Sequence, residues 1–210
     1  MGQNKKIIRR RNPTQERSRE MVEWILEAAL RLFSEKGYKL TTTNKIAELA
    51  GVSVGSLYHY FPNKESILLE LGVRHRKMVY REIIAMLKSG SGTDLRDSLK
   101  KVIGRIIKLH RDNPLLIEAL TSHTRVDKYL DAMDREYDLK FWSTVGGIIK
   151  RKYRLSKPSL SAETLRDAWI MLGKSGKEVI HSIAVDSTVR SDEKLTDDLV
   201  HIILSYIEQQ

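Results

Sequence analysis

The sequence predicts an all-α fold, and three observations predict it. Nearly every segment carries apolar residues at the i, i+3, i+4, i+7 spacing that lines one face of a helix. No run alternates apolar and polar residues between turn-forming clusters, as a half-buried strand would. The interruptions fall where helix chemistry puts them, at Gly37, Gly51, Pro62, the small-residue stretch 89–93 (SGSGT), Pro114 and Pro158.

The elements follow in order. Val22, Ile25, Leu26, Ala29, Leu32 and Phe33 make one apolar stripe, so a first helix is expected there, closed by Gly37 as its C-terminal cap. Thr43 is the expected N-cap of a short helix at 44–50. Gly51, Val52 and Ser53 interrupt it, with Gly51 where the turn needs positive φ, and a second short helix is expected over about 54–60. Pro62 stops that helix, and Asn63 is placed to cap a long one from Lys64 to about Lys88. Beyond 89–93, the clearest break in the chain, periodicity predicts helices at about 94–111, 114–124, 126–154, 161–187 and 193–208. Asn113 and Pro114 serve as cap and first-turn proline of the second of these. The last two are amphipathic. One carries Leu165, Ala168, Trp169, Leu172, Gly176, Val179, Ile180 and Ile183, the other Leu195, Leu199, Ile202, Ile203 and Tyr206.

Charge narrows the partners. The 210 residues carry a net charge of +10, placed unevenly: residues 1–64 hold 12 Lys+Arg against 6 Glu, and residues 65–210 hold 25 against 21. Lys5, Lys6, Arg9, Arg10 and Arg11 stand in the first eleven residues with no acid among them. Such a tail suits a polyanion, because each phosphate neutralised releases condensed counterions; a solubilising tail has the same composition. No window approaches the roughly 18 apolar residues that cross a bilayer, so no membrane partner is expected. The basic N-terminus runs into Asn12 and Pro13 instead of an apolar signal core, and the chain has no cysteine. Disulfide frameworks and thiolate metal sites are thereby excluded, and a cytoplasmic location is the expectation.

The informative stretch is Thr43 to Tyr60, TNKIAELAGVSVGSLYHY, which reads as a helix-turn-helix. Two short helices crossing steeply need a small residue where they meet, supplied by Ala47, and apolar side chains at Ile46, Ala50, Val52, Leu57 and Tyr60 for a miniature core. Ser53, Val54, Gly55, Ser56, Tyr58 and His59 are then left to face DNA, with the second helix meeting base edges in the major groove.

This stretch resembles the tetracycline-repressor (TetR-type) family of transcriptional regulators. The resemblance rests on ILEAALRLFSEKGY followed by TTTNKIAELAGVSVGSLYHYFPNKESILLEL and covers roughly residues 20–71; the rest matches in length and helical content. It implies that Thr43 and Asn44 meet phosphates or base edges. It implies further that Val54, Gly55 and Ser56 approach bases, that Tyr58, His59 and Tyr60 lie along the backbone, and that Lys64 binds a phosphate. Val54 and Gly55 offer no hydrogen-bonding side chain, so direct readout is expected to be sparse and to lean on thymine methyls or DNA shape. The organisation implied is a basic arm at 1–13, a three-helix helix-turn-helix DNA-binding domain at 14–63, and a helical effector-binding and dimerisation domain at 64–210. The partners implied are double-stranded operator DNA, a second copy of the chain paired through the last two helices, and a small hydrophobic effector. Met133, Phe141, Trp142 and Trp169 are the candidate pocket residues, although aromatic and Met content of this kind is also what an ordinary core holds.

Rival motifs fail on context. Gly51-Val52-Ser53-Val54-Gly55 spells the G-x-S-x-G nucleophile elbow, but that elbow lies between a strand and a helix, and the segment before it here, KIAELA, is helical. Ser98 to Lys101 matches S-x-x-K on a charged helical face without its companion motifs. The six histidines, His59, His75, His110, His123, His181 and His201, form no metal-ligand spacing. A regulator rather than an enzyme is expected, with no cofactor and no metal.

Overall fold

The computed structural model describes residues 16–89, 94–123, 126, 128–130, 143–149, 151, 167 and 191–209. All regular structure among them is helical. The basic arm at 1–13, most of the expected helices at 126–154 and 161–187, and the pocket candidates Met133, Phe141, Trp142 and Trp169 lie outside the described residues.

The chain divides into two compact units, Met1–Arg76 with Asn113–Ala132, and Lys77–Asp112 with Met133–Gln210.

In the first unit, α1 (Glu16–Leu40) buries the expected stripe, Val22, Ile25, Leu26, Ala29, Leu32 and Phe33. Gly37 breaks its regularity with φ 74° and ψ 166°, so the chain bends where the cap was expected and resumes a helical turn to Leu40. The Thr41 hydroxyl closes this end by donating to the carbonyls of Leu32 at 3.2 Å and Gly37 at 2.9 Å. α2 (Thr43–Leu49) and α3 (Val54–Tyr60) follow, then α4 (Lys64–Ser89). Asn63 caps α4 as expected: its Oδ1 accepts from the Ser66 amide at 2.8 Å, and the Ser66 hydroxyl donates back to the Asn63 carbonyl at 2.6 Å. α6 (Pro114–Ser122) packs on α1 and buries Leu116, Ile117, Ala119 and Leu120. Its proline stands in the first turn, but Asn113 makes no side-chain cap. The Asn113 Oδ1 instead accepts from the Ser34 hydroxyl at 3.1 Å, tying the start of α6 to α1.

The second unit is built on the latter part of α4, on α5 (Leu95–Arg111), on the helical residues 143–149 and on the C-terminal helix Asp192–Gln209. Its core holds Val79, Ile83 and Leu87 from α4 with Val102, Ile103, Ile106 and Ile107 from α5. Val145, Ile148 and Ile149 join them, as do Leu195, Leu199, Val200 and Ile203 of the C-terminal helix. Most of the C-terminal apolar stripe is therefore buried within its own unit, and Ile202 alone of the expected stripe is strongly exposed, at 53%. Ion pairs lace the rim, Arg105 to Glu82 through two bonds of 2.6 and 3.0 Å, Lys100 to Asp197 at 2.7 Å and Arg111 to Asp192 at 2.7 Å.

Candidate nucleic-acid interface

The site is built from two helices of seven residues, each too short to hold its shape alone. They are held by shared burial: Ile46 and Ala47 of α2, Leu57 and Tyr60 of α3, and Phe61 just beyond are all buried. The turn between them is closed by backbone bonds, Gly51 N–H to the Glu48 carbonyl at 3.1 Å and Val52 N–H to the Ala47 carbonyl at 3.0 Å. Gly51 takes φ 67°, the left-handed conformation expected of it.

The N-cap of α2 is Thr42, whose hydroxyl accepts from the Lys45 amide at 3.3 Å, and the helix begins one residue earlier than expected, at Thr43. Three consecutive threonines offered the same cap chemistry, and tertiary packing divides the roles. Thr41 is buried against the end of α1, Thr42 caps, and Thr43 turns its hydroxyl to the Tyr58 phenol at 2.9 Å. That bond joins the first turn of α2 to the middle of α3 on the outside of the motif. It fixes two hydroxyls beside each other where both remain accessible to a third oxygen.

On α3, Ser53 is the N-cap, accepting from the Ser56 amide at 3.0 Å, and the two hydroxyls also share a 2.8 Å bond. Asn44, Ser53, Val54, Gly55, Tyr58 and His59 are exposed, and Thr43 and Ser56 are half-buried. The motif therefore brings together on its outer side the residues expected there, with one exception. Tyr60 is 7% exposed and belongs to the core beneath the site, its ring edge-on to His59 with centroids 5.0 Å apart.

Lys64 is held by the protein itself. Its ammonium donates to the carbonyls of Tyr38 at 2.6 Å and Thr41 at 2.7 Å and lies 4.0 Å from the centre of the Tyr38 ring. Burial holds its pKa below the ordinary lysine value. Two of its three N–H groups are committed to tying the end of α1 to the start of α4. Around it stands a cluster that the motif does not reveal. The Tyr38 phenol is pushed up to about 12 by burial and by the carboxylate of Glu65, and the His123 ring meets Tyr38 edge-on at 5.3 Å and Glu65 at 3.5 Å. Lys45, exposed on α2, is a further cation that the motif pattern does not single out.

Among the described residues no group of three His, Asp or Glu side chains is placed to hold a metal ion, and no helix is long and apolar enough to cross a membrane.

Residues 25–71 match the family model described as bacterial regulatory proteins, tetR family. The chain is similar to the HTH-type transcriptional repressor KstR of Mycolicibacterium smegmatis, 35% identical over 50% of this chain and 51% of that protein. It is also similar to the nucleoid occlusion factor SlmA of Haemophilus ducreyi, 29% identical over 57% of this chain and 63% of that protein. The matches thus span from half to just under two thirds of these relatives' length. Among solved structures, the fatty acid degradation regulator FadR of Bacillus halodurans shares the fold with a TM-score of 0.65 at 19% identity, over 92% of this chain and 97% of that one. The Thermus thermophilus FadR, a repressor solved in complex with lauroyl-CoA, does so with a TM-score of 0.60 at 21% identity, over 87% and 93%.

Proposed function

We propose that this chain, which over residues 25–71 is similar to bacterial regulatory proteins of the tetR family, is a sequence-specific DNA-binding repressor, released from a palindromic operator by a small hydrophobic effector. The observation that carries the DNA-binding part is the outer side of the crossed α2–α3 pair. Asn44, Ser53, Val54, Gly55, Tyr58 and His59 are exposed there while a small core beneath fixes the angle between the helices. Hydroxyls, a phenol, an imidazole and an amide are ordinary donors to phosphate oxygens, and they set register on the duplex while few side chains remain to read bases. Lys64, with two N–H groups turned inward, serves this reading chiefly by tying the start of α4 to the end of α1.

The repressor assignment follows the relative named as one, and the hydrophobic effector follows the neighbour solved with lauroyl-CoA. The pocket is proposed to include Met133, Phe141, Trp142 and Trp169. A homodimer paired through the last two helices would set two recognition helices about one DNA turn, roughly 34–36 Å, apart. An effector acts only through a difference in its affinity for DNA-competent and DNA-incompetent states. This role places the chain with the chromosome in the cytoplasm and gives it no catalytic step.

The direct test of the site is duplex binding by Asn44→Ala and Tyr58→Ala, both exposed changes that leave the core intact. Each is expected to weaken binding about tenfold or more with unchanged circular dichroism, the cost of one or more phosphate or base interactions. Unchanged affinity in both would move DNA binding off this surface.

A further inference from the structure

The residues that lead α3 make poor sense as helix. Val54 is β-branched and Gly55 lacks a side chain, and both rank below most residues in helix propensity. They sit side by side in a helix of only seven residues. Nothing among the described residues accounts for them. A Cβ built on Gly55 would meet only the Ser53 hydroxyl, at 3.8 Å, and its φ lies outside the region that favours glycine. Val54 is 38% exposed, one of the large apolar side chains the fold leaves in water. The neighbouring polar groups are turned toward each other, because the Ser53 hydroxyl accepts from the Ser56 amide and shares a 2.8 Å bond with the Ser56 hydroxyl. The part of this turn that points outward uncommitted is thus an aliphatic side chain beside a residue with no side chain. Local rules are broken in this way where a partner compensates the cost.

Resting on the DNA-binding reading above, we infer that Val54 is a specificity-determining residue that reads the C5-methyl group of a thymine, with Gly55 supplying the space for the base edge to come close. The thymine methyl is the one apolar group a base pair presents in the major groove, and an exposed isopropyl side chain is its matching surface. Hydrogen-bond readout at this step is correspondingly slight, so a T·A pair is required there for its methyl rather than for its donor and acceptor pattern.

The experiment uses the full chain and an operator recovered by selection. Each thymine of the half-site is replaced in turn by deoxyuridine, symmetrically in both halves, which removes the methyl and leaves base pairing unchanged. Affinities at fixed salt are compared for the wild type and for Val54→Ala, a variant whose fold is safe because the site is exposed and alanine is the better helix former. One position is expected at which deoxyuridine weakens the wild type by about fourfold per half-site, the factor that goes with burying one methyl group. The same replacement should leave Val54→Ala unaffected. In an operator carrying cytosine at that position, 5-methylcytosine should bind the wild type more tightly than cytosine. Indifference of the wild type to every deoxyuridine, or a deoxyuridine effect that persists unchanged in Val54→Ala, overturns the inference and leaves the DNA-binding reading standing. Failure of the chain to enrich any duplex sequence overturns both.

Discussion

Lys64 gives two of its three ammonium N–H groups to the carbonyls of Tyr38 and Thr41 and lies over the face of the Tyr38 ring, although the resemblance makes it a phosphate ligand. A charged donor to a half-buried carbonyl contributes about 1.5–3 kcal/mol, and leaving the carbonyls unpaired costs more than removing a surface charge. Lys64→Met is therefore expected to lower the urea midpoint measurably, by about 1–3 kcal/mol in unfolding free energy. A variant of unchanged stability that binds DNA poorly would restore the phosphate role. Tyr38 supplies a pH test. Its phenol ionises near 12 in the folded chain against an ordinary value of 10, so the native state holds this proton more tightly than the unfolded one. That contribution is fully present below about pH 10 and is lost as pH rises toward about 12. A difference titration between wild type and Tyr38→Phe should show the missing phenol ionising near the upper value; a midpoint at the ordinary value would remove the burial and the Glu65 charge as causes. The sequence does not show this cluster, because the carbonyls that hold Lys64 lie 23 and 26 residues away and are delivered by tertiary packing.

At the scale of elements, the two glycines of the motif make opposite predictions. Gly51 takes φ 67° in open space, so a methyl there meets no atom but strains the backbone. Gly51→Ala is expected to destabilise by about 1 kcal/mol. Gly55 is helical and open, so Gly55→Ala should be neutral or stabilise by up to about 1 kcal/mol while weakening DNA binding, since the added methyl occupies the approach of the base edge. Urea melts and duplex titrations of both variants separate these cases; a Gly55→Ala protein that binds DNA as well as the wild type would show that the glycine serves nothing outside the fold. Helix type, the turn at Gly51, the Asn63 cap and the inner side of the motif were readable because each is set by near neighbours in sequence. The N-cap shifted from Thr43 to Thr42 because local chemistry cannot rank three adjacent threonines, and Asn113 lost its cap role to a bond with Ser34, which lies 79 residues away. Tyr60 lies in the miniature core, where the packing pattern put it, and not along the DNA backbone as the resemblance implied, because a phenol suits both phosphate and interior.

At the scale of the molecule, the C-terminal helix could not be read from its stripe alone. Periodicity shows that one face is buried but not whether the burying surface is the same chain or another. Leu195, Leu199 and Ile203 go inward within their own unit, which leaves Ile202 as the described apolar residue of that stripe available to a second copy. Ile202→Glu is expected to shift sedimentation toward the monomer while leaving helical content unchanged; a persistent dimer would place the pairing surface elsewhere. Net charge acts at the same scale. The five cations of the first eleven residues should steepen the salt dependence of binding, and deleting residues 1–12 should flatten it by close to one unit of log–log slope for each phosphate no longer neutralised. The central claim, that the outer side of α2 and α3 reads a DNA sequence twice in one dimer, is tested most directly by selecting random duplexes on the purified full chain at physiological salt and sequencing those retained. The expected product is an inverted repeat with half-site centres about one helical turn apart, roughly 10 base pairs. Retention of duplexes without any enriched sequence, or enrichment of a single unrepeated half-site, would contradict it.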